Sequence, residues 1–206
     1  MNMNMKTRLA VLFLSCLAWN NIYGQSSFTL QNRQISVGID APVFDSRGVP
    51  LAGANYLAEL YGGIKPDLLV PAMTFGEPPR VIVTFLSGEF SGYFLGPSIS
   101  IMSVPPNGWA WLQVRAWDAR LGATYEEVAT LSIGGYGESP LFYAQGGDPF
   151  DQFPVPRPLI GLQSFSLRAV VPEPSTWALL ALGGLALAWA SRHGRRLTTD
   201  KPMYRW

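Results

Sequence analysis

The feature that most constrains this chain is an apolar run near its C-terminus. Trp177 to Ala190 comprises fourteen residues that are all apolar or glycine. As a helix the run would be about 21 Å long, against a hydrocarbon core of roughly 30 Å. A helix over about residues 175–191, with Arg192 snorkelling at its end, comes close to the thickness of a thin bilayer. We therefore predict a transmembrane helix, with a buried core helix as the alternative for a run of this length. Its cationic stop on the cytoplasmic side is Arg192, Arg195 and Arg196.

The segment immediately before the apolar run contains two prolines that flank an acidic residue. Proline has a fixed φ angle and favours extended backbone in the residue before it, so we predict an exposed, non-helical peptide. The serine that follows the second proline suits a helix N-cap, and the helix should begin about one residue later. The whole segment is Val171, Pro172, Glu173, Pro174, Ser175 and Thr176.

The N-terminus has the pattern of a secretory signal peptide. A positively charged start is followed by the apolar stretch Leu9 to Ala18, and a small residue stands at a plausible cleavage point. We predict a signal peptide over residues 1–24, cut between Gly24 and Gln25 after delivery to the secretion translocon. An uncleaved N-terminal anchor is the alternative. The two ends agree, because the signal would send the body across the membrane while the basic stop stays behind.

Taken in this order, the Pro-Glu-Pro motif, the Leu/Ala/Gly-rich helix and the arginine cluster resemble the bacterial PEP-CTERM sorting signal over about residues 171–196. The resemblance implies that exosortase, a membrane-embedded cysteine protease, recognises Pro172, Glu173 and Pro174. It also implies an inner-membrane stage and then delivery to the cell surface or extracellular matrix of an exopolysaccharide-producing Gram-negative bacterium. Residues 197–206 would form a short cytoplasmic tail, which is longer than such signals usually carry.

The body between the two ends, about residues 25–170, is long enough for one domain with a hydrophobic core. Apolar residues recur in it mostly at a period of two, which is typical of strands, and most clearly over Trp109 to Asp118. Only Tyr125 to Leu131 suggests a helix. Seven to nine short strands predict a mainly β fold, a single antiparallel β-sandwich of Ig-like or jelly-roll-like type. The other strand-like segments are Ile35 to Ile39, Arg80 to Leu86, Ile99 to Ser103 and Phe165 to Ala169.

Turn signals separate these segments. They are short clusters of glycine, proline, asparagine and aspartate, which favour the backbone angles of turns. The clusters are Asp45 to Gly48, Gly62-Gly63, Pro105 to Gly108, Gly134-Gly135 and Gly146 to Pro149.

Residue types that carry chemistry are scarce in the body. The single histidine, His193, and the single cysteine, Cys16, both lie in the terminal segments. Ser-His-Asp and Cys-His nucleophilic systems are therefore excluded from the body, as are His-ligated zinc, iron and copper sites. We predict a non-catalytic domain with no cofactor and no metal. Carboxylate chemistry or calcium binding is the alternative, with Glu126-Glu127 and the pair Asp148 and Asp151 as the nearest clusters.

The charge of the body also bears on its partners. From Ser26 to Val170 there are eight Arg and Lys against twelve Asp and Glu, a net charge of −4. This balance disfavours binding of nucleic acid.

Aromatic residues are the remaining candidates for a binding surface. Trp111 and Trp117 would share one face of a strand with Gln113 and Arg115, so we expect that face to be partly exposed. A sugar-stacking platform is one interpretation, and core packing is the other. The candidates are Trp109, Trp111, Trp117, Tyr93, Tyr125, Tyr136 and Tyr143.

The sequence therefore predicts an exported, non-catalytic protein with a structural or adhesive role in an exopolysaccharide matrix. Its predicted partners are exosortase, the translocon, the membrane and extracellular polysaccharide. Two alternatives stay open: a carbohydrate-binding or carboxylate-dependent carbohydrate-active protein, and an unprocessed single-pass membrane protein.

Overall fold

The computed structural model describes residues 25–74, 77–170 and 176–194. The chain divides into two compact units, Met1–Ala169 and Val170–Trp206. Several predictions fall outside the described residues: the signal peptide, the segment Val171 to Ser175, and the tail after residue 194.

The described part of the first unit, residues 25–74 and 77–169, is mainly β. Within it, the one α-helix is α1 (Tyr125–Leu131), and two short 3-10 turns cover Ile35–Val37 and Gly88–Phe90. The strands are β1 (Ser26–Gln31), β2 (Arg33–Gln34), β3 (Ile39–Asp40), β4 (Val43–Phe44), β5 (Gly53–Gly63), β6 (Val70–Pro71), β7 (Met73–Thr74), β8 (Glu77–Arg80), β9 (Ile82–Phe85), β10 (Leu95–Ile101), β11 (Trp109–Asp118), β12 (Tyr136–Glu138), β13 (Phe142–Gln145) and β14 (Phe165–Ser166).

Two antiparallel sheets contain most of these strands. One has four strands in the order β1-β10-β7-β8. The other has the order β12-β11-β5-β6, with β13 also paired to β11 and β9 to β5. Its centre is the pairing of β5 with β11, which runs from Trp111 opposite Gly63 to Asp118 opposite Tyr56. Two small pairs complete the strands, β2 with β3 antiparallel and β14 with β4 parallel.

Both larger sheets contribute to one hydrophobic core. Phe28 and Ile99 come from the four-stranded sheet, and Leu60 and Leu112 come from the six-stranded sheet. Along β11 the even-numbered residues from Ala110 to Ala116 are all buried in this core, as the period of two requires. The prediction of a mainly β, antiparallel fold is confirmed, and the sandwich type stays a prediction.

Three local predictions were wrong. The described residues form fourteen strands instead of seven to nine, because several segments pair over only two residues. Ile35 to Val37 forms a 3-10 turn instead of a strand, because Gly38 ends it in the left-handed region at φ 80°. Gly62 lies within β5 instead of a turn. A Cβ on Gly62 would come within 2.7 Å of Ile101 and 2.8 Å of Leu112, so close packing of the core explains this glycine.

The predicted helix α1 is present and has a complete capping box. The Thr124 side chain accepts a hydrogen bond from the backbone N–H of Glu127, and the Glu127 side chain accepts one from the backbone N–H of Thr124. Tyr125 and Val128 from α1 pack with the fully buried Trp117 of β11. The helix therefore covers part of the outer face of the six-stranded sheet.

The second unit contains helix α2 (Thr176–Gly194). It begins at the predicted residue and ends three residues beyond the predicted 191. The described side chains from Leu180 to Trp189 are exposed. Within the described residues, no helix has both the length and the apolar character needed to cross a membrane. The transmembrane helix therefore stays a prediction.

Candidate functional site

The structure describes only part of the predicted sorting and processing residues. Thr176 is the first residue of α2, and Arg192 lies in its last turn. Gln25, on one side of the predicted signal cleavage, is the first described residue of the first unit and is buried. The others lie outside the described residues: Val171, Pro172, Glu173, Pro174, Ser175, Arg195, Arg196 and Gly24.

A buried ion pair lies on the outer face of the six-stranded sheet. The Glu59 side chain on β5 is fully buried, and Arg80 at the end of β8 is partly exposed. Arg80 donates two hydrogen bonds to the Glu59 carboxylate, from Nε at 2.8 Å and from Nη2 at 2.6 Å. This bidentate geometry is the strong form of an ion pair, and here it joins strands of the two larger sheets.

The same guanidinium extends the pair into a network with α1. Arg80 donates to Glu126 at 2.9 Å and also to the Tyr61 hydroxyl, which in turn donates to Glu126. Burial raises the pKa of Tyr61, so its hydroxyl keeps its proton. Burial alone would raise the pKa of Glu126, but the hydrogen bonds from Tyr61 and Arg80 outweigh it and lower that pKa. Glu126 is therefore suited to an ion pair and unsuited to the role of general acid, which needs a raised pKa.

An aromatic layer continues beside this network beneath α1. The Arg115 guanidinium carbon lies 3.9 Å from the centre of the Tyr61 ring and 5.0 Å from that of Tyr125. Burial raises the pKa of Tyr125 to about 12, and its hydroxyl donates to Glu138 at 3.2 Å. Trp117 meets the Tyr125 ring edge-on. Trp117 and Tyr125 are thus packed away from solvent, so they do not form an open platform.

The other predicted carboxylate clusters make local contacts. Glu127 caps α1, so the adjacent Glu126 and Glu127 serve different partners. Asp148 accepts from the backbone N–H of Phe150, and Asp151 accepts from that of Gln152. No group of three or more His, Cys, Asp or Glu residues suited to a metal occurs among the described residues.

Two lowered carboxylate pKa values predict acid sensitivity of the fold. Hydrogen bonds from the Arg120 side chain lower the pKa of Asp118, and the pKa of Glu126 is lowered as described above. The pKa values of Asp118 and Glu126 are lower in the folded protein than in the unfolded chain, so their ionised carboxylates stabilise the fold. This contribution to stability is complete above the unfolded pKa values and is lost as the pH falls through the folded pKa values. We expect the urea midpoint of the wild type to fall between pH 5 and pH 3, and to fall less in Asp118→Asn. An equal fall in both proteins would contradict the assignment to Asp118.

Exposed aromatic rings gather at the other end of β11. The Trp109 and Tyr143 rings are stacked, with centres 5.2 Å apart, and the Trp111 ring lies 5.0 Å from that of Tyr143. Trp109 is 52% exposed and Tyr143 is 51% exposed. They border a groove of about 360 Å³ that we call the aromatic groove. Its lining includes Trp109, Tyr143, Gln145, Arg157, Pro158 and Ile160.

The seven candidate aromatics therefore separate into three places. Trp109 and Tyr143 form the wall of the aromatic groove and Trp111 packs against Tyr143, whereas Tyr93 lies elsewhere and donates to Asp40 at 2.6 Å. The remainder, Trp117, Tyr125 and Tyr136, pack beneath or beside α1. Sequence reasoning missed Gln145 and Arg157, since neither lies in a motif and only the fold brings them close to Trp109.

The C-terminal segment is similar to a known protein family. Residues 170–196 match the family model of the PEP-CTERM protein-sorting motif. The PEP-CTERM match includes α2 up to Gly194 and confirms the resemblance inferred from the residues. A PEP-CTERM signal implies an exported protein that interacts with exosortase in sorting. No match to the chain was found among curated proteins or among solved structures.

Proposed function

We propose that this protein is an exported, non-catalytic component of the cell envelope or of an extracellular polysaccharide matrix, with a structural or adhesive role. The observation that carries the proposal is the PEP-CTERM match at residues 170–196. In this scheme the translocon receives the signal peptide, and α2 holds the chain in the inner membrane. Exosortase then processes the chain near Pro172, Glu173 and Pro174, and the first unit reaches the cell surface or matrix.

The first unit is suited to such a role. We propose that its two larger sheets form an Ig-like or jelly-roll-like sandwich, because both supply side chains to one core. Residues 25–170 contain no histidine and no cysteine, and the pKa of Glu126 is lowered. These properties support a binding or structural role for the first unit rather than an enzymatic one.

The sorting proposal predicts a change in mass and location when the motif is removed. Replacing Pro172, Glu173 and Pro174 together with alanine should abolish processing, because the extended recognition peptide is lost. The variant should keep Arg192 to Trp206 and stay in the inner membrane. Intact-mass analysis and cell fractionation measure the two effects.

The chain offers a matched control in a second Pro-X-Pro segment, Pro154 to Pro156. Its replacement with three alanines should leave mature mass and location unchanged. If the motif variant were processed and located like the wild type, the sorting proposal would be wrong. If wild-type protein itself kept Arg192 to Trp206, it would be an unprocessed single-pass membrane protein instead.

Carbohydrate binding is the second candidate function, and the aromatic groove favours it. Half-exposed Trp109 and Tyr143 are stacked beside polar side chains on the open side of the sheet. An apolar wall with a few polar groups is typical of a ligand site. A protein with this groove could adhere to matrix polysaccharide without any catalytic step.

A further inference from the structure

We propose that the aromatic groove binds an acidic polysaccharide, with a sugar ring against Trp109 and Tyr143 and its carboxylate on Arg157. This inference rests on the proposed function, since an exported matrix protein is one that meets polysaccharide.

The aromatic rings that form the wall of the groove are exposed and pack against one another. Trp109 and Tyr143 are inclined by only 20° to each other, and Trp111 supports Tyr143 from the directly opposite position on β11. Rigid Trp and Tyr side chains supply contact area at low entropic cost. A pyranose ring has a face of C–H groups that suits such a wall, while its hydroxyls point to the rim.

The local charge in the groove selects the ligand class, although the body as a whole has a net charge of −4. Arg157 is exposed and has no carboxylate partner among the described residues, whereas Arg47, Arg80, Arg120 and Arg168 all pair with acids. The residues that line the groove include no carboxylate. A guanidinium binds a carboxylate in a bidentate manner, so an acidic sugar complements this site.

The backbone and the rim hold these groups in place. The Arg157 backbone N–H donates to the Ser27 carbonyl at 3.1 Å, and the Thr29 N–H donates to the Arg157 carbonyl at 2.9 Å, so its segment is fixed against β1. Gln145 donates from Nε2 to the Asn107 carbonyl at 2.9 Å. That bond orients the amide and leaves its Oε1 as an acceptor for a sugar hydroxyl.

Binding of the full-length chain in mild detergent to polygalacturonate and to dextran tests the inference by affinity electrophoresis. We expect retardation by polygalacturonate and much less by dextran. Trp109→Ala and Tyr143→Ala should each weaken binding about tenfold. Arg157→Gln should remove the preference for the acidic polymer and the sensitivity to salt. The matched control is Phe153→Ala, which removes a 76% exposed aromatic from the neighbouring loop and should bind like the wild type.

Three results would overturn the inference: no retardation by either polymer, wild-type binding by Trp109→Ala, or an undiminished acidic preference in Arg157→Gln. Each is independent of the sorting proposal, which mass and location test in cells. Release of reducing ends from polygalacturonate would contradict the non-catalytic part of the proposed function and identify a carbohydrate-active protein.

Discussion

Replacing Arg80 with methionine is expected to lower the free energy of unfolding by about 3 kcal/mol. The Glu59 carboxylate is fully buried, and both of its hydrogen bonds come from Arg80. Without the guanidinium, a charge that the protein has removed from water would be left uncompensated. This value is at the lower end of the stability losses that follow removal of one partner of a buried ion pair. We expect the lower end because Arg80 is itself partly exposed, so water can reach the space that it leaves.

Urea unfolding followed by circular dichroism measures this loss. The matched control is Arg47→Met, which breaks an exposed ion pair with Asp45 and should cost less than about 1 kcal/mol. Adding Glu59→Leu to Arg80→Met should recover most of the loss, since no unpaired charge is then buried. If Arg80→Met and Arg47→Met lost the same amount of unfolding free energy, the buried pair would not hold the sheets together.

Replacing Trp117 with alanine is expected to cost about 3–5 kcal/mol of stability. The ring is fully buried between β11 and α1, where it contacts Tyr125 and Val128, and its Nε1 donates to the Gly122 carbonyl at 3.2 Å. Alanine would leave a cavity beneath the helix and an unpaired carbonyl.

The control for this variant is Trp109→Ala on the same strand. Because Trp109 is half exposed, its loss should cost less than about 1 kcal/mol of stability while weakening polysaccharide binding. Chemical unfolding of both variants separates the two roles. A similar destabilisation by both would contradict the division of this strand into a packed end and a binding end.

Features with a local signal were predictable. The strand Trp109 to Asp118 and the helix Tyr125 to Leu131 have the predicted bounds, because the periods of apolar residues report backbone geometry directly. The sorting segment was also recognisable, since its motif, helix and basic stop follow one another within a short stretch.

Features that depend on distant partners were not predictable. Gly62 and Gly63 favoured a turn, but Gly62 is explained by the approach of Ile101 from another sheet. Nothing near Glu59 in the sequence indicated a buried ion pair, because Arg80 meets it only after the sheets form. Arg157 likewise reaches the aromatic groove through the pairing of its loop with β1.

The sequence by itself thus determined the mainly β character of the body, the absence of histidine and cysteine from it, and the sorting signal. Each of these follows from residue identity and short-range periodicity. Only the tertiary structure decided which tryptophan of β11 is buried beneath α1 and which forms the open groove with Arg157. The physical reason is that alternation assigns a side chain to a face of a strand, whereas exposure depends on what the rest of the chain places over that face.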